Sequence, residues 1–231
     1  MKKLIGMALM LAMSGFAVAA DEQGAVQERV DKAGTVFHEI MAAPDKGIPG
    51  DVLEHAKCIA IVPGMVSAGF VVGGKHGRGV ATCRTAKGWS APAFFDVTGG
   101  SYGLQIGAQK VDLVMLIMND KGMEHLLASK FELGGEAGVA AGPVGRQGTA
   151  ATDWKMNAEV LTYSRAKGVF AGVDLSGASI KQDEDSTKAF YGKEVTFRDS
   201  LMGQIPPPPA ARSFLAEIRT ATGNAASAAA H

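Results

Sequence analysis

Apolar positions recur with two different periods along this chain. From residue 22 to 43, Val26, Val30, Ala33, Phe37, Ile40 and Met41 fall at helical spacing with charged residues on the opposite face, which predicts an amphipathic helix. It stops near Pro44-Asp45-Lys46-Gly47, and a shorter helix over 51–56 follows Pro49-Gly50, capped by Asp51. A stripe of this kind either lies on a bilayer or packs against its own domain, and the second reading is preferred.

Between residues 57 and 118 the period shortens. Runs of β-branched and aromatic residues alternate with glycines at Gly73-Gly74, Gly77-x-Gly79 and Gly99-Gly100. This predicts short strands over 58–62, 67–72, 79–84, 93–97, 103–108 and 111–118, joined by tight turns. The last, VDLVMLIM, is too short to span a bilayer and reads as a strand buried on both faces. Of the 30 glycines, 21 lie between Gly64 and Gly177, as repeated turns and close backbone approaches require.

Further on, Asn119-Asp120-Lys121-Gly122 opens a helix through Ala128, β character resumes over 130–142, and 146–157 reads as a polar loop. Strands are expected at 158–164, 169–174 and 178–181, then a helix from Asp183 to near Tyr191-Gly192. Pro206 to Pro209 form a polyproline linker to a final amphipathic helix over 210–222, and the tail NAASAAAH is expected to fray. Many short strands with few long crossovers predict an α+β fold. Its sheet is mainly antiparallel, open or a partly closed barrel, with flanking amphipathic helices.

Composition adds the compartment. The chain has 231 residues, 47% hydrophobic and 20% charged, enough for a sizeable core. Residues 1–20, MKKLIGMALMLAMSGFAVAA, carry Lys2 and Lys3, an apolar run from Leu4 to Val18, and the small-residue exit Ala17-Val18-Ala19. That is the layout of a secretory signal peptide cut before Ala20 or Asp21, and the run is short for a retained anchor. The segment has neither a cysteine for lipidation nor twin arginines. The expected product is periplasmic or secreted, with a domain over 21–205 and a linker, helix and tail over 206–231. Losing the two lysines takes the formal charge from zero to −2, which gives no reason to expect a nucleic-acid partner.

Candidate chemistry is sparse. Cys58 and Cys83 lie on neighbouring predicted strands, so they read either as a disulfide of an oxidising compartment or as two small buried hydrophobes. Of His55, Cys58, His76 and Cys83, the first pair has an allowable zinc spacing but the second matches no common finger, so no metal is assigned. Gly69 to Lys75 begins like a phosphate-binding loop, but His76 stands where the magnesium-bearing hydroxyl belongs. Asp96, Asp112 and Asp174 end apolar segments, and only if two converged would they suit acid–base work. No nucleophile or metalloprotease motif appears, so neither an enzyme nor a cofactor is expected.

One feature is concentrated. Lys57, Lys75, His76, Arg78, Arg84 and Lys87 fall in a stretch without Asp or Glu, followed by Trp89 and Phe94. Presented together, these basic and aromatic groups would suit an anionic headgroup interface. As solvated turn charges they would instead keep a glycine-rich edge from aggregating.

The same residues carry a family resemblance. AKCIAIVPGMVSAGFVVGGKHGRGVATCR, then GWSAPAFFDVTGGSYGLQIGAQKVDLVMLIMN, LGGEAGVAAGPVGR, YSRAKGVFAGVDLSGA and AFYGKE resemble the SYLF domain over about residues 28–205. The resemblance implies lipid binding, since its eukaryotic members include yeast actin-patch proteins that bind phosphoinositide membranes, some of them also actin filaments. Bacterial members are usually exported. No SH3 or FYVE pattern stands beside the domain in these residues, so the adaptor role is not expected, and the family offers no catalytic residues to transfer. The reading is a non-enzymatic envelope protein that binds anionic phospholipid through Lys57, Lys75, His76, Arg78, Arg84, Lys87 and Trp89, helped by the 22–43 helix. The alternatives are a protein-interaction scaffold, using Pro206 to Pro209 or the last helix, and a hydrolase built on the strand-end aspartates. Oligomeric state is left open.

Overall fold

The computed structural model describes the backbone over residues 2–43, 47–144, 158–166, 169–170 and 175–229. Side chains are described for the same residues except 2–20, 69–71, 101–107, 169–170 and 224–229. Helix α1 spans Lys2–Met41 and α2 Gly50–His55. Strand β1 then runs over Cys58–Thr85, β2 over Gly88–Trp89 and β3 over Ala93–Ile117.

The expected series of short strands is thus two long ones. β1 and β3 pair antiparallel from Cys58↔Ile117 to Ala81↔Ala93, with irregularities between Val62 and Met65 and between Gly69 and Val71. The glycine pairs read as turns sit inside this ribbon, where Gly74 faces Gly100. Between β1 and β2 the chain does turn, at Gly88 with φ 106°.

A straight strand of 28 residues would measure roughly 90 Å. The Cα atoms of Cys58 and Cys83 are nevertheless 4.0 Å apart, so β1 curls until its two ends meet. Glycine makes the curl possible. A Cβ on Gly77 would lie 2.5 Å from Val62 Cγ1, and one on Gly79 would lie 2.3 Å from the Phe95 ring. The role of these glycines is close approach rather than turning.

The remaining elements close around the ribbon. They are α3 (Asp120–Leu127), β4 (Lys130–Glu132), β5 (Val139–Ala141), β6 (Val160–Ala166), β7 (Val169–Phe170) and β8 (Ser179–Gln182). Helices α4 (Glu184–Tyr191) and α5 (Phe197–Leu201) follow, then a 3-10 turn over Pro209–Ala211 and α6 (Arg212–Ala229). Asn119 and Asp183 cap α3 and α4 by accepting the Gly122 and Ser186 amides, and Gly192 ends α4 at φ 66°. β6 and β8 pair with different halves of β3, and β5 joins β6 in parallel, giving a mixed eight-stranded sheet curled into a half-barrel in an α+β fold. The expected strand over 169–174 continues past Phe170 into residues outside the described set, as does the loop over 146–157.

Period-two alternation feeds two cores. Ile59, Ile61, Val80, Phe94, Val114 and Leu116 face the helices, joined by Val26, Val30, Ala33, Phe37 and Ile40 of α1. Ala60, Val62, Ala81, Phe95, Leu113, Met115 and Ile117 face into the curl with Leu126, Phe131 and Leu201. The segment read as buried on both faces divides between the two. The apolar stripe of α1 between Val26 and Ile40 is core, so that stretch offers a bilayer nothing without unpacking. Helix α6 is core too. Phe214, Leu215 and Ile218 are buried, and Phe214 Cα stands 3.4 Å from where a Gly34 Cβ would be. The polyproline segment leads into a packed element, and the helix runs on to Ala229.

Candidate functional site

The seven residues grouped in the sequence separate into two places and two faces. At the base of the ribbon, Lys57 Nζ ion-pairs with the Asp120 carboxylate. Arg84 donates from Nε to the Ala56 carbonyl (2.9 Å) and from its terminal nitrogen to the Leu53 carbonyl (3.1 Å), closing the end of α2. Its guanidinium lies 4.7 Å from the Trp89 ring centroid. Burial pulls the Arg84 pKa down, with the Glu54 charge acting against it. Trp89 is 7% exposed and donates from Nε1 to Thr222 Oγ1 on α6. Trp89 is therefore core, whereas Arg84, though exposed, is held against α2 and the Trp89 ring. Lys87 is exposed in the turn, its amide donating to Thr85 Oγ1.

Lys75, His76 and Arg78 lie farther along β1, where parity decides their direction. Met65, Ser67, Lys75 and Gly77 are buried, whereas Val66, Ala68, Val72, Gly74, His76 and Arg78 are exposed. Neighbouring strand residues point to opposite faces, so Lys75, only 7% exposed, does not share a surface with His76. Register adds a residue that the sequence reading missed. Lys110 of β3 is exposed and directly opposite Val66, and Ala108 is opposite Ala68. Only the strand pairing reveals Lys110, because it is far in sequence from the basic run.

The outer face consequently has an apolar centre of Val66, Ala68, Val72 and Ala108. Lys110 stands at one end and His76 and Arg78 at the other. Beyond the Arg78–Asp96 pair, residues 64–77 and 97–111 hold no Asp or Glu. Residues 99–110 of β3 pair with β1 alone among the described residues, since β8 ends at Thr98 and β6 begins at Asp112.

At the inner end of this face, Arg78 Nε is 3.7 Å from Asp96 Oδ1. Burial, with the nearby Asp183 charge, raises the Asp96 pKa, while Arg78, His76 and Arg29 act against the rise. Asp183 ion-pairs with Arg29 at 3.2 Å, both largely buried. Burial alone would raise the Asp183 pKa, but bonds from the Ser186 hydroxyl and amide and from Arg29 hold it below the ordinary carboxylate range.

The other candidates resolve as structure. Cys58 and Cys83 form a disulfide, with the Met123 sulfur 3.1 Å from Cys58 Sγ, which takes both thiols from any zinc set. Gly69 to Lys75 is extended strand and leads into more strand, not into a helix N-terminus for phosphate. Asp112 accepts the Gly64 amide at 2.9 Å beside the bulge, and Asp174 lies outside the described residues. Among the described residues, no three His, Cys, Asp or Glu side chains are grouped to hold a metal. No described helix is long and apolar enough to cross a membrane.

These features define a class: an α+β half-barrel built on one curled, glycine-rich ribbon bridged at its base by a disulfide. Residues 98–221 match the family described as "Ysc84: Las17-binding protein actin regulator", and the chain belongs to this family, the SYLF family that the sequence resembles. It is 34% identical over 176 residues to "SH3 domain-containing YSC84-like protein 1" of Rattus norvegicus, covering 74% of this chain and 52% of the relative. It is 37% identical over 172 residues to "LAS seventeen-binding protein 3" of Saccharomyces cerevisiae, covering 72% and 37%. With "Protein YSC84" of the same yeast it shares 35% over 177 residues, covering 74% and 37%. The chain spans about half or less of the length of these relatives, none of which carries an enzyme's name.

Proposed function

We propose that this protein is a non-enzymatic, exported, envelope-associated protein that binds anionic phospholipid surfaces. The observation that carries the reading is the charge pattern of the ribbon. In a chain with formal charge zero, residues 64–77 and 97–111 contain no acid, and the outer face carries His76 and Lys110, with Arg78 adjoining. Each basic group near an anionic leaflet contributes about 1 kcal/mol, weakened by salt. Reversing Lys110 and Arg78 together to Glu should lower affinity for phosphatidylglycerol vesicles on the order of a hundredfold at low salt, from two such groups lost and two charges inverted. Equal affinity of this double variant and wild type would sink the reading.

The relatives' names favour a second reading, a protein-binding role, since one is called a LAS seventeen-binding protein. Pro206, Pro207 and Pro209 are exposed in this chain and would supply such a surface. Recovery of one stoichiometric protein from a periplasmic extract, lost when these prolines become Ala, would support it over lipid.

A further inference from the structure

We infer that the outer ribbon face between Val66 and Val72 enters the headgroup–acyl boundary of an anionic lipid surface, adding a salt-resistant part to the binding. This rests on the lipid reading above and assigns its contact element. Val72 is 62% exposed and Val66 38%, in a protein whose other valines on these two strands, where described, are buried. Their direction is fixed by the alternation on β1, whose opposite face packs into the curl. Ala68 lies across from Ala108 beside Val66, and Gly74 lies across from Gly100 beyond Val72.

Charge selects the occupant. Lys110 lies across from Val66, and His76 and Arg78 continue the face past Val72, with no acid before Asp96. A second copy docked on this face would set like charges against each other, whereas an anionic surface is complementary. Depth is limited as well. The β3 edge over 99–110 has its β1 partner on one side only among the described residues. Unpaired backbone groups are costly in hydrocarbon, so the ribbon rests at the boundary and does not cross it.

The test uses the full mature chain with Val72→Cys carrying an environment-sensitive fluorophore, the native cysteines being joined in their disulfide. Added phosphatidylglycerol vesicles should shift its emission to the blue. Nitroxide lipids labelled near the top of the acyl chain should quench it, and the shift should persist at high salt. Val66→Asp/Val72→Asp, checked by its melting curve, should lose at least about tenfold in vesicle partition, consistent with two partly exposed valines removed from the boundary. If protein sediments with vesicles while the fluorophore stays water-exposed and the Asp variant binds like wild type, the wedge is refuted and lipid binding stands. If wild type does not sediment with vesicles, both fall. A blue shift on concentrating the protein without lipid would assign the face to a second copy and overturn the inference.

Discussion

The Cys58–Cys83 bridge joins the two ends of a single strand, 25 residues apart. Cutting it leaves β1 to hold its curl by packing and by bonds such as that from the Arg84 amide to the Lys57 carbonyl (2.7 Å). For a loop of this length the chain-entropy relation gives about 3.5 kcal/mol of stabilisation, exerted mainly on the unfolded state. In a domain of this size that corresponds to a fall in Tm of roughly 7–14 °C. Cys58→Ala/Cys83→Ala should therefore move the urea midpoint down. The slope should steepen, because the unlinked denatured chain exposes more surface. Both sulfurs are buried, so the native wild type should resist reductant until it unfolds. An unchanged midpoint in the double variant would refute the claim that the bridge, rather than the sheet alone, stabilises the curl.

Five further outcomes are expected. Gly79→Val should destabilise by about 3 kcal/mol or abolish folding, because its Cβ would meet the Phe95 ring at 2.3 Å; thermal melts decide it. Phe37→Ala should cost about 3–5 kcal/mol in urea titration, since this α1 ring is fully buried. A surface helix reserved for lipid would show no such loss. Arg84→Ala should cost about 1–2 kcal/mol through two lost hydrogen bonds and its Trp89 contact, the side chain being exposed, yet the folded variant should bind vesicles as wild type does. For pH, the lowered Asp183 pKa means that its contribution is present above the unfolded carboxylate pKa and lost as pH falls through the folded value. The stability gap between wild type and Asp183→Asn should then close on acidification. Asp96, with its raised pKa, works in the opposite direction: it favours the fold in acid and loses that contribution as pH rises through the folded value, so Asp96→Asn should gain stability near neutrality.

The α1 stripe, the helix starts near Asn119 and Asp183 and the twice-buried VDLVMLIM segment were readable because each depends on local periodicity or on one side-chain bond, whereas the cap expected from Asp51 is not made, since Asp51 lies inside α2 and Pro49 holds the cap position. The ribbon was not readable. Gly73-Gly74 and Gly99-Gly100 look like turns in sequence, and only the register shows each glycine opposite its counterpart within continuous strands. Gly77 and Gly79 are required by neighbours that the curl brings in, Val62 from the same strand and Phe95 from β3, and no linear pattern records such a contact. The basic run does not gather on one face, for the same reason. Lys75 and His76 are adjacent in sequence but on opposite faces, Arg84 is bonded to the end of α2, and Lys110 joins the surface through pairing. The cysteines were placed correctly as neighbours, though on one strand that returns to itself rather than on two.

The central claim, that the mature chain binds anionic lipid surfaces, is tested most directly by its co-sedimentation with vesicles, anionic against zwitterionic, at low and high salt. The account predicts preferential binding to phosphatidylglycerol vesicles that weakens with salt without vanishing. Absence of binding to both vesicle types, or equal binding to both with no response to salt, would contradict it.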